Sequence, residues 1–311
     1  MRKLIVAVIL TLITFISFAQ TTSVKKSWEK GGTIAIAGGQ SGTRNSAVGI
    51  EKFTVTGNVF VALWAKKKWN KNNWDNWADF SYGLINTSST GIRKGDDKLD
   101  LYSRWGHAVS NKLALSVVAN LRTQFSNGYD FSGDTKKRIS GFFAPAYIVF
   151  SPGIQYKPFS YFSMHAGPMA RWIITTNAPY SLMYQGGIKP DGTTERTLAE
   201  LYNVDPARKV RFEYGLYYSA LFKKEVVKNV LLRSRLDVSS DFSTKSDSLR
   251  HPGNVDVYFT NNVSMSINKW LKAIYSFDVV YDDDVKLFGA SKNKAATQLK
   301  SVLGIGVGVS F

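Results

Sequence analysis

The chain has 311 residues, a formal charge of +17, 14% aromatic residues and no cysteine. The missing cysteine excludes a disulfide framework, a cysteine-rich metal site and a lipidated cysteine anchor. The basic balance raises nucleic acid as a partner, but no basic helix or recognition motif accompanies it.

Met1-Arg2-Lys3 is a short basic start, and residues 4–18 are uncharged and mostly apolar. Ser17 and Ala19 then set small residues three and one positions before Gln20. This is the pattern of a secretory signal peptide over 1–19, too short and wrongly flanked for a membrane helix. Its removal takes Arg2 and Lys3 and leaves a charge of +15. An exported chain seldom meets nucleic acid, so outer-membrane lipid and lipopolysaccharide phosphates are the anionic partners expected. Residues 20–31 read as an N-terminal periplasmic segment and 32–311 as one folded unit. No later apolar run approaches the ~18 residues that a spanning helix requires.

From Gly32 onward, short runs alternate apolar and polar residues with a period of two, the mark of strands with two unlike faces. Residues 33–37 set Ile34 and Ile36 on one face. Residues 53–65 group Phe53, Val55, Gly57, Val59, Val61 and Leu63, and 78–86 group Phe80, Tyr82 and Leu84. Over 98–109, Leu99, Leu101, Ser103 and Trp105 oppose Asp100, Tyr102 and Arg104. Over 113–125, Leu113, Leu115, Val117, Ala119 and Leu121 oppose Ser116, Asn120, Arg122 and Gln124. Residues 142–156 and 162–175 contain Pro145, Pro152 and Pro168. Each proline removes a ladder donor, so bulged strands are expected there. Residues 210–222, 230–240, 255–267 and 271–281 recover the alternation. In the first, Phe212, Tyr214, Leu216 and Tyr218 oppose Arg211, Glu213 and Ser219; in the second, Leu232, Leu236 and Val238 oppose Arg233, Arg235 and Asp237.

The last strand, 298–311, is the clearest. Leu299, Leu303, Ile305, Val307, Val309 and Phe311 share one parity, while Lys300, Gly304, Gly306 and Gly308 share the other. An amphipathic terminal strand ending in Phe resembles what bacterial outer-membrane barrels present to their assembly machinery, which makes Phe311 the expected terminal signal. On this register Val307→Arg is expected to impair assembly and Gly306→Ser to be tolerated.

The connections sort by parity. Residues 38–52, 87–97, 126–141, 176–209, 242–254 and 282–297 are the long ones; 66–73, 110–112, 157–161, 223–229 and 268–270 are short. Short periplasmic turns alternating with long outer loops is the plan of membrane barrels. The expected fold is all-β: a single antiparallel transmembrane β-barrel of about 12 strands in a bacterial outer membrane, both termini periplasmic.

Aromatic residues gather at strand ends, as membrane interfaces favour. Trp64, Trp69, Trp74 and Trp77 surround one short turn, and Tyr156, Tyr161 and Phe162 surround another. A carbohydrate-stacking site and a core corner are the other readings of the tryptophan group. Lys66, Lys67, Lys68 and Lys71 share its turn and read as solvated or facing head groups, with a periplasmic partner as the second reading. The inward parity collects Asp100, Arg104, Arg122, Arg211, Glu213, Arg233, Arg235, Asp237, Asp256, Asp278 and Lys300. Charges inside a barrel must be paired or wet. Either they form an ion-pair network that closes the lumen, or they line a path for small polar, anionic solutes.

No catalytic set, cofactor motif or metal site stands out. His107, His165 and His251 lie far apart and at no ligand spacing. Ser126-Asn127-Gly128 resembles the catalytic segment of outer-membrane phospholipase A, which places a His two residues before that Ser; here that position is Gln124. The serine then lacks a local base, and a turn is the plain reading. Within the longest loop, residues 195–202 read as a short helix with Thr193 and Thr194 as caps, either folded into the mouth or standing as a surface loop. Asp282, Asp283 and Asp284 are adjacent, and adjacent strand positions point to opposite sides, so a single cation cage would require a turn.

Several segments together resemble a known family: Trp28 with Gly31-Gly32, then 73–82 (NWDNWADFSY), 98–106 (KLDLYSRWG), 123–129 (TQFSNGY), 139–147 (ISGFFAPAY), 281–284 and the terminal strand. They are similar to the Bacteroidota family named domain of unknown function 3078, over most of residues 28–311. The resemblance implies an outer-membrane β-barrel and carries over no catalytic or binding residue. Three functional expectations stand: a passive or gated solute path, a closed barrel serving envelope assembly or surface interaction, and, last, a lipase-type enzyme.

Overall fold

The computed structural model describes residues 28–42, 53–130, 137–175, 188, 191–192, 197–243, 255–285, 288 and 294–311. The signal-peptide reading of 1–19, His251 and the expected caps Thr193 and Thr194 lie outside these residues.

Among the described residues fourteen strands form: β1 (Glu29–Gly42), β2 (Phe53–Trp69), β3 (Asn72–Thr87), β4 (Gly91–Ala108), β5 (Leu113–Thr123), β6 (Gly128–Asp130), β7 (Lys137–Ser140), β8 (Ala146–Phe159), β9 (Phe162–Ile174), β10 (Val210–Val227), β11 (Val230–Asp241), β12 (Val255–Ser266), β13 (Leu271–Tyr281) and β14 (Gln298–Ser310). All but β6 and β7 close into one ring in the order β1-β14-β13-β12-β11-β10-β9-β8-β5-β4-β3-β2, and β6 and β7 make a small hairpin above β5 and β8. Every pairing in the ring is antiparallel. This is the expected all-β barrel of twelve strands. Its outward parity is an apolar belt that includes Leu63, Leu101, Leu115, Phe150, Phe212, Leu216, Leu303 and Val307, all exposed. Closure leaves the twelve-stranded ring without an unpaired edge, which a barrel in hydrocarbon requires.

The ring closes between the two ends of the chain. β1 pairs with β14 from Thr33↔Ser310 to Gly38↔Ile305. Gly32 N–H donates to the Phe311 carbonyl at 3.0 Å, and Phe311 N–H returns the bond at 3.1 Å. β1 is therefore longer than expected and takes in Glu29–Gly31, which the sequence assigns to a periplasmic segment; pairing along all of β2 up to Lys66 extends it. The seam is tight. A Cβ on Gly306 would lie 1.9 Å from the Ile36 carbonyl oxygen and 2.5 Å from Ala37 Cα. The expectation that serine is tolerated there is thus overturned, because the obstruction is backbone that cannot swing aside.

The two ends of the barrel differ as expected, with one correction. Turns at 70–71, 109–112, 160–161, 228–229 and 267–270 are short, and Asn70 and Asn229 adopt φ of 50° and 66°, which asparagine tolerates in tight turns. At the other end, 87–97 is no long loop. β3 and β4 run on to a turn at 88–90, held by Thr90 N–H donating to Thr87 Oγ1 at 3.2 Å. The polar stretch there reads as loop from sequence, yet beyond the apolar belt both faces of a hairpin meet water. The bulges expected at Pro145, Pro152 and Pro168 do not form: Pro145 precedes β8, Pro152 and Pro168 pair in regular register with Val117 and Leu216, and the one shift of β8 on β9 falls between Tyr156 and Phe159. Pairing between β8 and β9 is interrupted between Phe150 and Ile154, around Pro152, where Gly153 and Gly167 bring the backbones together.

Candidate functional site: the lumen and its loop-side mouth

Alternation puts the charges inside. On β4, Leu101 and Trp105 face outward, which turns Asp100, Tyr102 and Arg104 inward. The structure brings nearly all the inward candidates into contact. Asp100, 2% exposed, accepts from Asn120 at 2.7 Å and from Arg122 Nε at 3.4 Å, and also pairs with Arg235. Asp237 pairs with Arg122 and with Arg235 Nε at 3.0 Å, and accepts from Tyr217 and Ser219 at 2.7 Å each. Arg233 pairs with Asp79, and Lys300 with Asp96. Asp278 takes Lys98 at 3.0 Å. Arg104 holds Asp75 at 3.1 Å and Ser163 at 3.1 Å. Buried Glu213 lies between Arg171 and Arg211, and Arg171 continues to Asp256 at 2.7 Å.

Several of these pairs cross the lumen rather than follow the wall. Arg233 on β11 and Asp79 on β3 sit six strands apart whichever way the ring is counted. Arg235–Asp100 joins β11 to β4, and Lys98–Asp278 joins β4 to β13. Beside this charged layer lies an apolar one of Tyr102, Val118, Val149, Met169 and Tyr217, backed by Trp77 and Leu221. Of the inward charges missed by the sequence reading, Asp75 and Asp96 lie beyond the strands that the sequence outlines, and Arg171 lies in one interrupted by proline. Asp79 and Lys98 lie within outlined strands and were legible there by parity alone.

The interface aromatics divide. Trp69 and Trp74 are exposed on the outer face, where Trp74 Nε1 donates to Ser103 at 2.8 Å. Tyr156 is exposed there too, Tyr161 stacks on Phe159 at 5.2 Å, and Phe162 pairs with Phe222. Trp64 and Trp77 do not belong to this group. They are cross-strand partners on the inward parity, Trp77 lying 5.3 Å from the Tyr102 ring and Trp64 under the Lys223 ammonium at 4.1 Å. Four tryptophans clustered in sequence fall on two faces because odd and even positions of a strand point apart.

On the long-loop side the charged layer floors a cavity of 1470 Å³, lined by Tyr82, Lys94, Lys98, Arg122, Tyr258 and Lys300 among others. The Arg122 guanidinium lies 3.8 Å above the Tyr258 ring. The loop after β9 covers part of this mouth with α1 (Leu198–Leu201). Thr197 caps the helix, accepting from Glu200 N–H at 3.2 Å. Leu198, Ala199 and Val204 pack on Ala144, Ile173 and Val285, which selects the folded-in alternative for this loop. Tyr202 Oη donates to the Ile139 carbonyl at 2.7 Å. Burial holds the Tyr202 phenol well above its ordinary value, with Asp282 adding to the shift.

The acidic run turns at 282–285, so its carboxylates diverge. Asp284 takes Arg211 at 2.5 Å and Asn203 at 3.2 Å, and Asp283 accepts from Tyr281 at 3.1 Å. Arg211 overcomes burial and holds the Asp284 carboxyl below its usual range. Asp282 is buried beside Asp256, and burial first, then that neighbour, pushes its carboxyl up to about 7 against the pull of Arg171. Among the described residues no group of three His, Asp or Glu side chains is arranged to hold a metal.

Among the described residues no histidine contacts Ser126; its hydroxyl donates to Asp97 at 3.0 Å. His107 Nδ1 meets Asn72 at 2.9 Å, and fully buried His165 is held between Ser116 at 2.7 Å and Ser151 at 3.0 Å. These are satisfied polar contacts within the barrel wall and its filling.

Residues 40–129 match a family of proteins of unknown function, DUF3078. The match spans β2 to β5 and stops well short of the full-length resemblance drawn from the sequence. No curated protein matches the chain. Among solved structures, the chain is similar to the translocator domain of the autotransporter NalP from Neisseria meningitidis, at 8% identity and a TM-score of 0.40, covering 100% of this chain and 96% of that one. It is similar also to the COG4313 outer membrane channel from Pseudomonas putida F1, at 10% identity and a TM-score of 0.37, over 94% and 100% of the two chains. The NanC porin follows at 8% identity and a TM-score of 0.34, over 88% and 98%.

Proposed function

We propose that the protein is an outer-membrane barrel forming a gated path for small polar solutes, with its long loops outside the cell and its short turns in the periplasm. The observation that carries this reading is the set of ion pairs that cross the lumen, Arg233–Asp79, Arg235–Asp100 and Lys98–Asp278. They bar the way in this conformation. A lumen meant only to be filled gains at least as much from apolar side chains as from buried ion pairs. Paired charges beneath a water-accessible mouth can exchange partners and let hydrated solutes pass, which an apolar plug cannot. Val307 and its outward neighbours supply the lipid-facing belt that the location requires. Ser126 is engaged by Asp97, so this serine lends nothing to the lipase-type reading.

A second reading, a closed barrel whose loops serve envelope assembly or surface interaction, is favoured by the apolar layer of Tyr102, Val118, Val149, Met169 and Tyr217. Conductance in a planar bilayer separates the two. Wild-type protein is expected to be nearly silent. The double variant Asp100→Asn with Asp237→Asn releases Arg122 and Arg235 and is expected to give anion-preferring steps. Silence from a variant that is heat-modifiable on a gel, and so folded, would establish the closed barrel.

A further inference from the structure

The short-turn mouth of the barrel gathers inward lysines that enter none of its ion pairs. Lys66 on β2, Lys157 on β8 and Lys223 on β10 are inward and half-buried. Lys157 and Lys223 each lie within electrostatic reach of Lys66. Lys223 crosses the whole lumen, six strands in either direction, to rest over Trp64 at 4.1 Å, and Lys66 sits 5.8 Å from the Trp64 and Trp77 rings. Among the described residues none of these three lysines makes an ion pair. Asp75 and Asp79, the carboxylates that act on Lys157 and Lys223, are taken by Arg104 and Arg233, and Glu29, the cross-strand partner of Lys66, is exposed and forms no ion pair with it. A second observation points the same way. The Trp77 indole N–H and the Arg104 Nε–H, both buried in this mouth, have no acceptor.

Three half-buried ammonium groups without a counterion are unfavourable twice over, through lost hydration and through mutual repulsion. Unused buried donors add to that cost. A ligand with several anionic oxygens removes all three penalties at once, and lysine is suited to it as a point charge on a flexible stem. We propose that Lys66, Lys157 and Lys223 form a binding site, open to the short-turn side, for a small multivalent oxyanion of the phosphate or carboxylate class. Trp77 supplies a further donor, and Trp64 holds Lys223 in place by cation–π contact. The site goes beyond the solute path and does not rest on it: a barrel that never conducts can still bind the anion.

Isothermal titration of the folded protein in zwitterionic detergent at low salt tests this, with inorganic pyrophosphate as the free anion and phosphatidylglycerol doped into the micelles as the lipid source. Saturable pyrophosphate binding, weakened about tenfold or more by Lys66→Gln with Lys223→Gln, is the expected result. Saturable binding of phosphatidylglycerol alone, lost in the same variant, would keep the site and assign it to a head group. No binding of either probe, or binding unchanged by the substitutions, overturns the proposal. If the double variant does not become heat-modifiable, Lys157→Gln replaces it with the same readout. Because the lysines repel one another when the site is empty, Lys157→Gln should also raise the unfolding temperature of ligand-free protein, and pyrophosphate should narrow that difference.

Discussion

At Gly306 the seam between β14 and β1 leaves no room for a side chain, since the Ile36 carbonyl would stand 1.9 Å from any Cβ. Gly306→Ser should therefore lower the yield of heat-modifiable barrel on refolding into lipid vesicles. The neighbouring Val307, 60% exposed on the outer face, tests the opposite parity. Val307→Arg should impair the same assembly by about 2–4 kcal/mol near the bilayer midplane. Equal assembly of Val307→Arg and wild type would mean that this face does not meet lipid. Inside, Asp100 holds two guanidiniums at once. Asp100→Asn leaves Arg235 short of a partner in the barrel filling, and should cost about 3–5 kcal/mol in urea unfolding.

Helix α1 is the element whose attachment to the barrel is expected to vary with pH. Two carboxylates under it titrate in opposite senses. Asp282 is pushed up to about 7 by burial and by Asp256, so docking gains from its protonation below the ordinary carboxylate value near 3.8 and loses that gain as pH rises through about 7. Asp284 is held low by Arg211, so its contribution is present at neutral pH and fades only on strong acidification. Between these limits Asp282 dominates, at no more than ~1.4 kcal/mol per pH unit. The protection factors of the α1 amides, which are corrected for the intrinsic rise of exchange with pH, should therefore fall from pH 5 to 7 in the wild type and stay level in Asp282→Asn. A flat wild-type profile would show that Asp282 does not govern the docking. Thr197→Ala removes the cap and should loosen the same segment at every pH, by about 1 kcal/mol.

At the scale of the whole molecule, closure joins the first strand to the last residue. Removing Phe311 deletes its paired backbone bonds with Gly32 as well as the terminal aromatic. Its loss should slow membrane insertion in cells, and unchanged levels in the membrane fraction would remove the terminal-signal argument. The ring's twelve strands, their antiparallel order and most of the sorting of loops were readable in the sequence, because alternation and turn chemistry are set by residues within a few positions of one another. The hairpin at 88–90 was not, since polar residues on both faces look like loop until the height of the belt is known. Trp64 and Trp77 were assigned to the interface from their clustering, although the parity of their own strands already placed them inside.

The sequence by itself determined that this chain makes a barrel and which charges turn inward, because both follow from period-two geometry along a single strand. Only the tertiary structure decided what those charges do. Arg233 finds Asp79 154 residues away, and Lys223 finds Trp64 across the full width of the lumen. Such partners are fixed by ring closure, strand register and lumen width together, and no local pattern encodes the three at once. The same closure separates a paired layer on the loop side from unpaired lysines at the short turns. That asymmetry arises from strands that meet only in the folded ring.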